Sequence, residues 1–174
     1  MIEFNIKTKI YGSCATGLAL TASDVDISVE GIEAFDRNQL SEYFMTISNS
    51  LKGFKWVTEN KPILTATVPI LKLEVDVRTA FADINEDQMD KNIPLDTTEK
   101  LDIEDKGDIS DYKIRIDLSL ESTGCLGYGG YNIHVGYKTT AFVMQMLEKY
   151  KSLYIVTMVL KEFLSARQLL NTYQ

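Results

Sequence analysis

The chain has 174 residues, 45% of them hydrophobic and 25% charged, with a net charge of −7. A chain of this length buries about 70% of its unfolded surface, so one domain with part of a second can hold a core without disulfides, and Cys14 and Cys125, which form no framework pattern, are expected as free thiols of a reducing compartment. No run approaches the ~18 apolar residues of a membrane span, and the amino terminus MIEFNIKTKI carries no long apolar segment, so the expectation is an intracellular protein, cytoplasmic or nuclear, with no membrane partner.

In chain order, residues 5–11 have strand character and stop at Gly12. Residues 13–20 are small and Leu-bearing enough to begin a helix, with Ser13 a favoured N-cap. A second strand carries Asp24 and Asp26 on one face and Val25, Ile27 and Val29 on the other. Residues 35–52 place Leu40, Tyr43, Phe44, Ile47 and Leu51 on one helical stripe that should lie against a sheet. Residues 54–58 and 63–77 are β-like, the latter alternating Leu71, Leu73 and Val75 against Lys72, Glu74 and Asp76.

Residues 83–111 hold eleven Asp or Glu and three Lys, so the acidity sits in one segment and the rest of the chain is close to neutral. With Pro94, Gly107, few aromatics and neither period, this segment is expected to be a surface insertion, an overgrown hairpin loop that is either a plain solvated loop or a docking segment for a basic protein partner. Residues 113–120 alternate again, with Ile114, Ile116, Leu118 and Leu120 opposite Arg115, Asp117 and Ser119. After a loop at 122–134, residues 135–150 and 153–170 read as amphipathic helices, the second with Val156, Leu160, Phe163 and Leu164 as its buried stripe.

Chemistry concentrates in residues 11–29, YGSCATGLALTASDVDISV. Two carboxylates about 4 Å apart repel by up to roughly 4 kcal/mol at an effective dielectric near 20, so a cation belongs between Asp24 and Asp26. Their hard oxygens suit Mg²⁺, and paired ions are the usual device for nucleotidyl transfer. Gly12 allows close backbone approach to a triphosphate, and Ser13 can offer its hydroxyl and amide to the phosphates. No Gly-Lys-Ser/Thr follows, so this is not a Walker loop. A third carboxylate has two candidates, Asp76 and Asp117, and periodicity does not choose between them.

The pattern Gly-Ser-x-x-Thr-Gly-Leu-x-Leu-x-x-Ser-Asp-x-Asp, from Gly12 to Asp26, resembles the signature of the terminal RNA nucleotidyltransferases, the cytoplasmic poly(A) and poly(U) polymerases of the DNA polymerase β-like superfamily. Val68-Pro69-Ile70-Leu71-Lys72, Ile116-Asp117-Leu118-Ser119 and Arg167-x-Leu169-Leu170-Asn171 are similar to further family segments in the same order. The resemblance, which runs over nearly the whole chain except residues 77–113, implies an α+β nucleotidyltransferase palm at 1–121, a mixed sheet of about five strands with helices on one face, into which the acidic segment at about 80–112 is inserted. Residues 122–174 would be the first helices of a truncated helical domain. It implies Asp24, Asp26 and Asp117 as catalytic metal ligands for two Mg²⁺ or Mn²⁺ ions, since Asp117 lies on the strand returning after the Val-Pro-Ile-Leu-Lys segment. It further implies Gly12, Ser13, Thr139, Thr140 and Lys161 as nucleotide-binding residues, an NTP (ATP or UTP) and an RNA 3′ end as partners, and addition of nucleotides to RNA as the activity. Ser165 stands where some relatives carry a second lysine, and Val135 where some carry asparagine.

The alternative is a palm-like module without catalysis, kept as a structural or regulatory subunit. Gly124, Gly127, Gly129 and Gly130 lack the spacing of a dinucleotide loop and read as a linker. His134 is the sole histidine, which leaves no basis for a zinc site or a Ser-His-Asp triad.

Overall fold

Five alternating segments become strands of one mixed sheet: β1 (Lys7–Tyr11), β2 (Val25–Ile32), β3 (Val57–Ile63), β4 (Ile70–Asp76) and β5 (Lys113–Ser122). The structure, a computed structural model, describes residues 6–88, 112–122 and 135–169. The expectations for residues 89–111, the linker glycines and His134 therefore lie outside the described residues. The strand order is β1-β2-β5-β4-β3. β2 and β5 run parallel, and every other neighbouring pair is antiparallel.

The two-residue period sends Val29, Leu120, Leu71 and Leu73 to one face, where Leu40 and Phe44 of helix α2 (Arg37–Leu51) bury them. Phe44 and Leu71 are fully buried, and each such side chain contributes about 1.5–3 kcal/mol. α2 starts where it does because Asp36 accepts the Gln39 amide at 2.8 Å while the Gln39 side chain accepts the Phe35 amide at 2.9 Å, a reciprocal cap. Buried Ser48 ties α2 to β3, donating to Asn60 Oδ1 at 2.8 Å and accepting from Asn60 Nδ2 at its carbonyl at 2.7 Å. The opposite face of the sheet is polar and carries Asp26 and Ser28, Asp117 and Ser119, and Lys72 on three adjacent strands.

Several expectations need correction. Helix α1 (Gly12–Thr16) is capped by Tyr11 without a side-chain bond, so Ser13 lies inside it. Gly17, left-handed at φ 72°, ends it well short of residue 20, and the Leu18 amide closes the turn on Ser13 O at 3.0 Å. The β-like run 63–77 is broken, because β4 is paired on both sides and proline cannot donate to a ladder, so β4 begins only after Pro69. Edge strand β3 tolerates Pro62 and occupies Val57–Ile63 rather than 54–58.

The insertion begins later than expected, since residues 77–88 form helix α3 (Val77–Gln88). The Asp76 carboxylate accepts the Thr79 amide at 3.0 Å and caps it. Helices α4 (Val135–Lys149) and α5 (Lys151–Ala166) stand close to the expected places. The stripe of α5 does not: Val156, Leu160 and Phe163 are 61%, 54% and 52% exposed, because no described element covers them. Among the described residues no helix is long and apolar enough to cross a membrane.

Candidate active site

Parallel pairing of β2 with β5 sets Asp26 directly beside Asp117, and the antiparallel pairing of β5 with β4 sets Lys72 beside Asp117. Asp24, one residue before β2, shares the face of Asp26 through the two-residue period. Three carboxylates and one ammonium thus lie at one end of the polar face. Lys72 Nζ lies 3.1 Å from Asp117 Oδ1 and 3.6 Å from Asp24 Oδ2.

Arg115 reaches Asp24 from β5. Its Nε is 2.7 Å from Asp24 Oδ1, and its Nη2 donates to the carbonyl of Ala22. The Nε–H is not aimed at the carboxylate, so Asp24 Oδ1 has an ionic neighbour yet is buried without a hydrogen-bond donor. Asp26 answers to its surroundings most strongly. Burial first, then the negative charges of Asp117 and Asp24, push its pKa up to about 6, with Lys72 opposing. Burial pulls the Lys72 pKa down, but the bond and charge of Asp117 and the charge of Asp24 outweigh it, and the net direction is upward.

Gly12 joins this cluster to a cavity. At φ 68° it takes the left-handed region, and a Cβ there would collide with the Asp26 carboxylate. The cavity, of about 340 Å³, is lined by Gly12, Ser13, Thr139, Thr140 and Lys161, with Tyr11 and Leu18 among the others. The Gly12 amide donates to Thr140 Oγ1 at 2.9 Å, which in turn donates to the Gly136 carbonyl at 2.8 Å. Lys161 Nζ reaches across from α5 to the Leu18 carbonyl. Tyr11 walls the cavity, its hydroxyl 3.3 Å from Ser119 Oγ and its ring 5.6 Å from that of Tyr137.

All five residues expected around a nucleotide therefore line one cavity, and all three expected carboxylates share one face beside it. Asp76 lies at the far end of β4, opposite Lys113, and caps α3. Sequence reasoning missed Lys72, Arg115 and Tyr11. Alternation placed Lys72 and Arg115 on polar faces, but only the strand order puts those faces next to Asp24.

The donor set fits a hard divalent cation. It is all oxygen, it includes a buried carboxylate oxygen with no hydrogen-bond donor, and it holds two acids side by side. Among the described residues no three acids are gathered around a single point, and the Lys72 ammonium stands between two of them.

Residues 3–90 match the family model of the poly(A) RNA polymerase, mitochondrial-like, central palm domain. The chain belongs to this family. The five-stranded palm has the fold of several solved structures at low sequence identity. The structure of the GLD-2/RNP-8 complex is similar with a TM-score of 0.58 and 18% identity, over 92% of this chain and 45% of that one. The polymerase core of TRAMP, an RNA surveillance complex, gives a TM-score of 0.58 and 19% identity over 94% and 36%. mtPAP in complex with UTP gives 0.63 and 12% over 99% and 31%. The chain spans less than half the length of each of these. No curated protein sequence matches it.

Proposed function

We propose that this palm adds nucleotides from a nucleoside triphosphate, ATP or UTP, to the 3′ end of an RNA, with two Mg²⁺ or Mn²⁺ ions as cofactors. The observation that carries the reading is the Asp26–Asp117 cross-strand pair, flanked by Asp24 and opening past Gly12 onto the cavity of Ser13, Thr139, Thr140 and Lys161. Its family and its likeness to mtPAP structures solved with ATPγS and with UTP support it.

Asp24, Asp26 and Asp117 are the residues that would hold the ions, whose chemistry when bound is to neutralise the triphosphate and lower the pKa of an RNA 3′ hydroxyl. Gly12 permits phosphate to approach the backbone beside Asp26, and its amide exchanges Thr140 Oγ1 for a phosphate oxygen. Lys161 exchanges the Leu18 carbonyl for the outgoing phosphates, a charge-assisted contact about twice as strong as a neutral one. Thr139 and Thr140, on the α4 wall of the cavity, are the residues that would meet the sugar.

A second reading, a palm without catalysis in an RNA-processing assembly, draws on the exposed apolar stripe of α5, a surface of the kind that partners cover. Incubating the protein with a labelled RNA primer, Mg²⁺ or Mn²⁺ and each nucleotide in turn separates the two. Extension by one nucleotide supports transfer and identifies its substrate. No extension and no nucleotide binding with either ion would favour the second reading.

A further inference from the structure

The acidic cluster already contains a cation, and it belongs to the chain. Lys72 stands at the register position opposite Asp117, with its ammonium between Asp117 and Asp24. These are two of the three carboxylates assigned above to metal binding, and the inference rests on that assignment. We propose that Lys72 is a built-in counter-cation, a positioning residue that holds Asp24 and Asp117 in register until a divalent ion displaces it.

The geometry supports both halves of this role. Lys72 reaches from β4 to acids of the two strands beyond it, and without its charge Asp24, Asp26 and Asp117 would confront one another across two adjacent strands with only Arg115, at Asp24, to offset them. Its side chain is 42% exposed and makes contacts of 3.1 and 3.6 Å, and ion pairs that open to solvent are weak enough to exchange. A lysine is a compact charge on a flexible stem, so its head can leave while β4 stays in place. Arg115 is the contrast. It donates to the Ala22 carbonyl, and of the three acids it pairs only with Asp24. A divalent ion and the ammonium cannot share one gap, because their like charges repel there. Lys72 therefore competes with the metal. Removing its charge should tighten binding of the metal alone while weakening the metal-free fold.

The test uses the full chain and Mn²⁺ alone, with free ion measured by electron paramagnetic resonance. Folded Lys72→Met is expected to bind Mn²⁺ about tenfold more tightly than the unmodified protein and to melt at a lower temperature without it. Lys72→Arg, which keeps the charge, should stay close to the unmodified protein in both. Equal or weaker binding by Lys72→Met, while Asp117→Asn abolishes binding, would overturn the role of the lysine and leave the metal site standing. Binding that survives Asp117→Asn unchanged would instead remove the site assignment. Should Lys72→Met fail to fold, amine acetylation of the unmodified protein decides the matter. Mn²⁺ should speed modification of Lys72 severalfold relative to Lys113, which Glu74 holds at 2.6 Å; an unchanged or slower rate at Lys72 would overturn the proposal.

Discussion

Gly12 shows how one residue can set the geometry of a site. Its positive φ and the carboxylate against its Cα leave no room for a side chain. Gly12→Ala should destabilise the protein by about 1–3 kcal/mol in urea denaturation, from backbone strain and overpacking together, and should depress transfer further by displacing Asp26. Asp26 itself gives a pH signature. Its pKa in the folded chain is about 6, above the ordinary 3.8, so the folded state holds the proton more tightly than the unfolded one. Its contribution to metal-free stability is therefore complete below pH 3.8 and lost as pH rises through about 6. Glu30 and Glu74, paired with Lys9 and Lys113, shift downward and pull the other way, so the measurement is a comparison. The urea midpoint of Asp26→Asn should gain on that of the unmodified protein between pH 4 and pH 7, and parallel curves would contradict the assignment. At this scale Asp24, Asp26 and Gly12 were legible because spacing within one short segment carries their meaning. Lys72 was not, because its meaning comes from Asp117, on a strand 45 residues away in sequence.

The elements divide according to whether their signals are local. α2 was legible because its whole apolar stripe lies within it. α3 was hidden twice over, since Val77 extends the alternation of β4 and the acidic run beyond masks the helical period. The cap bond from Asp76 to the Thr79 amide is the feature that marks its start. Asp76→Ala should therefore lower stability by about 1 kcal/mol in thermal or urea unfolding and leave nucleotide binding untouched, which separates Asp76 from the site. The stripe of α5 was read as buried because amphipathicity reports a face that can be covered, and nothing in the period says what covers it.

At the scale of the whole molecule, the site lies where two parts meet. The sheet contributes the acids, while α4 and α5 contribute Thr139, Thr140 and Lys161 to the wall facing α1. Strand order could not be read from periodicity, which is blind to whether β5 inserts between β2 and β4; the family resemblance supplied the expectation that Asp117 returns beside Asp26. Lys161→Met should weaken binding of a fluorescent nucleoside triphosphate by about tenfold with little change in melting temperature, as its carbonyl contact to Leu18 is a single, part-buried hydrogen bond. If Asp24, Asp26 and Asp117 together support nucleotidyl transfer, primer extension by single variants will show it. Asp24→Ala, Asp26→Ala and Asp117→Ala should each abolish metal-dependent extension of an RNA primer while Asp76→Ala extends it at close to the unmodified rate. Extension by Asp117→Ala at a comparable rate, or its loss in Asp76→Ala alone, would contradict that shared role.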